Sequence, residues 1–184
     1  MGKARRIDFC KYFLLTAALS FLGWAFEVSY VYLKTGQRWD AGFLTLPFCP
    51  IYGCSLLAIY LLCGTPHKGR GVLKGVKSTL LRNILYLGFA FLIPTMAELI
   101  VGAFFDKALH LRLWSYQKRR YNYHGYICLP VSLAWMGLIW LVMRFVFPFI
   151  KKGVFRLNDK LGVTLSVVLS IALGIDAAWK IFSL

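Results

Sequence analysis

Residues 42–53 read GFLTLPFCPIYG, with Pro47 and Pro50 three positions apart and a glycine at each end. Proline lacks an amide donor and disfavours helix at the residue before it. Inside a lipid bilayer the backbone must satisfy its own hydrogen bonds. Two prolines at the mouth of an apolar segment therefore predict a re-entrant bend or a binding site. The backbone positions expected to shape such bends are Gly42, Pro47, Pro50, Gly53, Gly125 and Pro130.

The composition around this stretch is that of a membrane protein. Of the 184 residues, 59% are hydrophobic, and the mean hydropathy is +0.65, whereas ordinary soluble domains carry about 45–50% apolar residues. A helix needs about 20 apolar residues to cross a bilayer. Five segments meet this length: 11–33, 44–64, 82–105, 126–149 and 161–183. We predict an all-α polytopic fold with five transmembrane helices, forming a single membrane domain over residues 1–184.

The distribution of charge predicts the orientation. The net charge is +15, and an inside N-terminus places 14 of the 22 Lys and Arg residues in the cytoplasm. Because cytoplasmic loops are enriched in these residues, we predict a plasma-membrane protein with a cytoplasmic N-terminus and an external C-terminus. The loop 106–125 is basic, yet this orientation places it outside, and the enrichment of Lys and Arg in cytoplasmic loops does not explain its charge. The cations do not form one continuous surface, so a nucleic-acid partner is not predicted.

A short internal match indicates two related halves. Residues 42–47, GFLTLP, align with residues 125–130, GYICLP, with both glycines, the leucines Leu46 and Leu129, and both prolines in register. Each stretch follows a helix that carries a glutamate. We predict two helix-hairpin repeats, about 11–64 and 82–149, plus a fifth helix at about 161–183, with chance similarity as the alternative.

Acidic residues within the apolar segments point to a site. Glu27, Glu98 and Asp176 fall at similar depths on three predicted helices, and intramembrane carboxylates are commonly functional. They predict an outward-facing polar pocket that binds a substrate or an ion. Its other expected members are Tyr52, Asn122, Arg38 and Trp114. The alternatives are that the glutamates only hold loops onto helices and that Asp176 pairs with Lys180 four residues later.

Several kinds of chemistry have no motif here. The run GRGVLKGVKS at 69–78 lacks the spacing of a phosphate-binding loop. HExxH is absent, and the five cysteines show no metal-binding spacing. No metal and no cofactor is therefore predicted. Cys49 and Cys128 could form a disulfide, although two packed thiols are the favoured interpretation.

These residues together resemble the CmpB family of ABC-transporter type IV proteins, over roughly residues 20–137. The shared features are Glu27, the stretch 42–53 with its PIYG ending, Glu98, Trp114 with Tyr116, and, further on, Asn122, Gly125 and Trp135. The chain departs from the family pattern at Ala41 (arginine in the family), Leu46 (glycine), Ser115 (aspartate) and Gln117 (serine). With the family's arginine missing, Arg38 is a possible substitute partner for a glutamate. The resemblance implies a permease component in a lipid bilayer, with a separate ATPase subunit where transport is driven by ATP.

A transport role is favoured over an enzymatic one, with Glu27 and Glu98 binding or relaying a cation or a substrate group. One alternative is a membrane-embedded enzyme acting on lipid or lipid-linked substrates, in which the glutamates serve as acid and base. Another is a non-catalytic membrane scaffold for partner proteins.

Overall fold

The computed structural model describes residues 2–37 and 41–183, and its regular structure is almost entirely helical. In chain order the helices are α1 (Gly2–Thr35), α2 (Pro50–Cys63), α3 (Thr79–Ala108), α4 (Leu129–Leu141), α5 (Phe147–Arg156) and α6 (Asp159–Phe182). A π-helical segment, Val142–Val146, joins α4 to α5, and Gly71–Leu73 forms a 3₁₀ turn. Two short antiparallel strands, β1 (Asn122–Tyr123) and β2 (Ile127–Cys128), form a hairpin before α4.

Four described helices are long and apolar enough to cross a membrane: Ala4–Thr35, Thr79–Ala108, Leu129–Arg156 and Asp159–Phe182. This confirms the predicted all-α membrane fold in its coarse form. The predicted second span is different, because the helix begins at Pro50 and has 14 residues. Proline is accepted in the first turn of a helix, where its missing amide has no intrahelical partner. Further along a helix proline is disfavoured, and residues 41–49 are irregular here, so the predicted start at 44 is wrong.

The predicted start of the fourth span at residue 126 is also wrong. Ile127 and Cys128 form strand β2, and α4 begins at Leu129 with Pro130 in its first turn. In the turn of the hairpin, the Tyr126 amide donates to the Tyr123 carbonyl at 3.0 Å. The intervening His124 and Gly125 have φ values of 51° and 76°. Primed hairpin turns require this sign of φ, so the turn ends the loop and sets where α4 can start.

The chain folds into two compact units. The first comprises the described residues up to Cys54 together with those from Phe149 onward, and the second comprises Ser55–Pro148. In the first unit α1 and α6 pack side by side. Lys11 Nζ donates to Asp159 Oδ1 at 2.7 Å, which brings the early part of α1 to the start of α6. The two helices therefore begin at the same end of this unit.

The start of α2 packs closely against α1 through small residues. A methyl group on Gly53 would overlap the Ser20 hydroxyl and the Thr16 carbonyl oxygen. Ser20 donates its hydroxyl to that same carbonyl at 2.9 Å, and its own carbonyl accepts the Cys49 amide at 3.2 Å. Close backbone approach at small residues is the usual way in which helices pack inside membranes.

The second unit centres on α3 and α4, which pack together. Tyr86 and Phe147 are fully buried in it, and the Tyr60 and Phe147 rings lie 4.7 Å apart. The basic connection between α2 and α3 is also folded: Arg82 Nε donates to the carbonyl of the buried Pro66 at 3.3 Å.

Replacing Gly53 with alanine should lower stability by about 1–3 kcal/mol, because the added methyl group forces α1 and α2 apart. The control is Gly137→Ala in α4, where an added methyl group meets nothing within 4 Å. Alanine is the better helix former, so the control should be neutral or slightly stabilising. Thermal unfolding of both purified variants measures this, and equal melting temperatures would contradict the packing described.

Candidate functional site

Glu27 on α1 is bound by Tyr52 from the first turn of α2. The Tyr52 hydroxyl donates to Glu27 Oε2 at 2.5 Å, and both side chains are partly exposed. A methyl group on Gly23 would overlap the Tyr52 ring. Gly23 and Glu27 lie on one face of α1, since they are four residues apart. The glycine therefore makes room for the ring, and the glutamate receives its hydroxyl.

Asp176 on α6 holds the irregular segment that precedes α2. Its Oδ2 atom accepts the backbone amides of Thr45 at 2.9 Å and Leu46 at 3.0 Å. Neither amide lies in a helix, so each needs an acceptor from elsewhere. Two amides sharing one carboxylate oxygen make charge-assisted hydrogen bonds, which are stronger than neutral ones. Asp176 thus fixes the bend that the prolines create.

The two carboxylates lie at matching heights in the first unit. Lys11 and Asp159 mark one level, and Glu27 and Asp176 follow them by 16 and 17 residues along their helices. At 1.5 Å per residue these offsets are roughly 24 and 26 Å. Glu27 and Asp176 therefore hold the same stretch, residues 45–52, near the far end of both helices. We call these two residues and residues 45–52 the carboxylate clamp.

The chemistry of the clamp is that of a carboxylate with one hydrogen bond from a tyrosine hydroxyl. An ionised carboxylate offers about four acceptor sites, and Tyr52 uses one of those on Glu27. Cations and amine groups are the partners that such an oxygen attracts.

Among the described residues, no group of three His, Cys, Asp or Glu side chains is placed to hold a metal ion. All five cysteines, Cys49 and Cys128 included, are free thiols.

The other predicted site residues lie in the second unit or outside the described residues. Glu98 is on α3, and its Oε2 atom is buried. Trp114 and Asn122 have structural contacts. The Trp114 indole donates to the Tyr126 carbonyl at 2.9 Å, and Asn122 Oδ1 accepts the Gly125 amide at 3.0 Å. Arg38 lies outside the described residues.

A polar latch in the second unit holds the hairpin onto the end of α3. Asp106 Oδ2 accepts Arg112 Nη2 and the Tyr126 hydroxyl, each at 2.7 Å. The hydrogen bond to Asp106 raises the pKa of Tyr126 above its usual value, and the same carboxylate raises the pKa of Arg112. Gly102 allows this approach, because a methyl group there would be 3.3 Å from both the Trp114 and Tyr126 rings.

The six expected bend positions lie in irregular segments or turns, or near the starts of helices. Gly42 has a φ of 90°, a conformation that favours glycine. Pro47 lies in the irregular segment, while Pro50 and Gly53 belong to the first turn of α2. Gly125 is in the hairpin turn, and Pro130 is in the first turn of α4.

Sequence reasoning missed the face of α1 that receives α2. Thr16, Ser20, Gly23 and Glu27 are spaced by four, three and four residues, which places them on one helical face. Small residues at this spacing are a recognisable signal of close helix packing in membranes. The Asp106–Arg112–Tyr126 latch was also missed, since Asp106 lies in the last turn of α3 while its two partners lie in the loop that follows.

A family model described as "Putative ABC-transporter type IV" (CmpB) matches residues 13–181. The chain belongs to this family. Comparisons with curated proteins and with solved structures gave no match. The family match begins within α1, ends within α6 and includes both carboxylates of the clamp.

The Asp176→Asn variant should loosen residues 45 and 46. Hydrogen bonds to a charged group contribute about 1.5–3 kcal/mol, so losing the charge should speed amide exchange at Thr45 and Leu46 by roughly tenfold. Hydrogen–deuterium exchange followed by mass spectrometry measures this. Asp159→Asn, at the opposite end of α6, is the control and should leave these two amides unchanged. Equal exchange in both variants would show that Asp176 does not hold the segment.

Proposed function

We propose that this chain is the membrane-embedded permease component of a transporter, and that the carboxylate clamp is its polar substrate- or ion-binding pocket. The observation that carries the proposal is the Tyr52–Glu27 hydrogen bond at the point where α2 restarts after the proline segment. An ionisable side chain inside a membrane is costly unless it is paired or used. The family to which the chain belongs is consistent with transport.

The chemistry of the pocket favours a cation, a proton or an amine-bearing group. Glu27 supplies negative charge, and the Tyr52 hydroxyl supplies a donor that can turn towards a ligand or towards the carboxylate. Asp176 keeps the neighbouring backbone in place, so the pocket does not have to be ordered when a ligand arrives. Such preorganisation lowers the cost of binding.

Glu98 is a second candidate for the same transport step. Its helix α3 spans the membrane by length and composition, and a carboxylate oxygen buried in such a helix is unusual without a role. We propose that it relays a cation or a proton. If so, Glu98→Gln should impair transport while leaving the hydrogen-bonding of Tyr52 and Glu27 intact.

The proposed topology has five crossings. Because Lys11 pairs with Asp159, α1 and α6 begin on the same side of the membrane. The chain between those two starts must then cross an even number of times. α1, α3 and the continuous α4–α5 helix account for three crossings, so α2 with residues 41–49 supplies the fourth and α6 the fifth. At roughly 21 Å, α2 alone is shorter than the bilayer core of about 30 Å, and the irregular segment supplies the rest.

The proposed repeat of two hairpins has partial support. Gly42 and Gly125, which open the two matching stretches, both have positive φ. The helices that follow begin at different offsets, since α2 starts three residues after Pro47 and α4 starts one residue before Pro130. A duplicated ancestor with later adjustment of the turns would produce this pattern, and an alignment of homologous chains would test it.

A separate ATPase subunit is the proposed partner where transport is driven by ATP, because the chain has no phosphate-binding loop motif. Purification of the tagged chain from native membranes should then recover a subunit that does carry this motif. Recovery of the chain without nucleotide-hydrolysing activity would count against an ATP-driven mechanism.

Glu27→Gln should abolish cation binding, because it removes the charge and keeps the shape. We expect the melting temperature of the purified protein to rise on titration with sodium or methylammonium, since a ligand that binds only the folded state stabilises it. Glu27→Gln should lose that rise, and Tyr52→Phe should require a higher concentration for it. Asp8→Asn, the same chemical change at an exposed position on α1, is the matched control. An unchanged titration in Glu27→Gln would reject the pocket.

Epitope tags test the plasma-membrane location and the orientation together. A tag after residue 184 should bind antibody on intact cells, because five crossings from a cytoplasmic start leave the C-terminus outside. A tag before residue 1 should bind only after permeabilisation. If both tags behave alike, the number of crossings is even and the proposed topology is wrong.

A further inference from the structure

Among the described residues, three consecutive cations at the hairpin have no acidic partner. Lys118, Arg119 and Arg120 are exposed, and the sequence from 107 to 158 contains no Asp or Glu. The nearest preceding carboxylate, Asp106, is occupied by Arg112 and Tyr126. Within the part of the chain that the structure describes, none of the three cations forms a salt bridge. Their charge is therefore available to a partner from outside the chain.

The backbone beneath these cations is fixed. Asn122 Nδ2 donates to the carbonyls of Arg119 at 2.6 Å and Gln117 at 3.4 Å. The Leu129 amide donates to the Tyr121 carbonyl at 3.0 Å. The side chain of Asn122 and the amide of Leu129 thus hold the main chain of the loop in place. Because the loop is already ordered, a partner that binds these side chains meets a smaller entropic cost of binding.

Two exposed aromatic side chains follow the cations in the chain. Tyr121 and Tyr123 are 70% and 57% exposed, and the Arg120 guanidinium lies 5.8 Å from the centre of the Tyr121 ring. Tyr121 has a φ of 57°, which is uncommon for a bulky residue and indicates that the surrounding hydrogen bonds impose its position. Tyrosine is enriched where a membrane meets water. We call Lys118, Arg119, Arg120, Tyr121 and Tyr123 the basic–aromatic patch.

We expect the patch to lie at the membrane surface. It is in the connection between Ala108, where α3 ends, and Leu129, where α4 begins, and both helices are of membrane-spanning length. The latch from Asp106 to Tyr126 keeps the hairpin at the end of α3. A surface of cations and tyrosines held beside lipid headgroups complements a phosphate group linked to an acyl chain.

We propose that the basic–aromatic patch binds the phosphate headgroup of acidic phospholipids in the adjoining leaflet. Guanidinium groups match phosphate geometry, and the tyrosine rings supply the interfacial apolar contact. On the proposed orientation these cations face outside, against the usual excess of Lys and Arg in the cytoplasm. Lipid binding gives them a role there, and it depends neither on transport nor on the side of the membrane.

Hydrogen–deuterium exchange of the full chain in lipid nanodiscs tests this proposal. One set of discs contains phosphatidylcholine alone, and the other contains phosphatidylcholine with one third phosphatidylglycerol. We expect amide exchange in residues 116–124 to be at least fivefold slower in the acidic discs. The triple variant K118Q/R119Q/R120Q should lose that slowing. The matched variant K68Q/K74Q/K77Q removes the same charge from exposed positions in the other basic connection and should retain it.

Three results would overturn the proposal. The first is equal exchange of residues 116–124 in both disc types, and the second is full slowing in K118Q/R119Q/R120Q. The third is the same slowing on adding glycerol phosphate to neutral discs, which would identify a soluble phosphate as the ligand. If the triple variant does not fold, Arg119→Gln alone should reduce the slowing, and an unchanged value in that variant would also contradict the proposal.

Discussion

A bilayer interior offers no water to the backbone, so every amide that leaves a helix there needs an acceptor from the protein. In residues 41–49, which we propose to lie in the bilayer, the amides of Thr45 and Leu46 find an acceptor in one oxygen of Asp176. The prolines make this necessary, because they prevent the chain from resuming its helix before Pro50. This segment leads directly into α2, whose first turn carries Tyr52, the hydrogen-bond partner of Glu27.

Small residues allow Tyr52 to reach Glu27 in the carboxylate clamp. Gly53 lets α2 approach the backbone of α1, and Gly23 leaves space for the ring of Tyr52. Larger side chains at either place would move the tyrosine away from Glu27. The hydrogen bond between Tyr52 and Glu27 thus depends on the close packing of α1 and α2 as well as on the charge of Glu27.

Much of this fold can be predicted from the sequence, because hydrophobic length is a strong signal for spans such as α3 and α6. The bend at residues 41–49 is also readable, since Pro47 and Pro50 leave few alternatives. The hairpin at 122–128 was missed because its residues are mostly aromatic and apolar, and they merge with the span that follows. Its turn depends on the φ values of His124 and Gly125, which no hydropathy pattern reveals. Glu27, Tyr52 and Asp176 stand out by residue type, but their pairing depends on helix packing between distant parts of the chain, which sequence spacing does not encode.

The first unit is assembled from the beginning and the end of the chain. During synthesis α1 and α2 are therefore made long before their neighbour α6 emerges from the ribosome. In that interval the amides of Thr45 and Leu46 lack their native acceptor, the Asp176 carboxylate. Assembly of this part of the protein is consequently a late event, completed when the last helix docks beside the first.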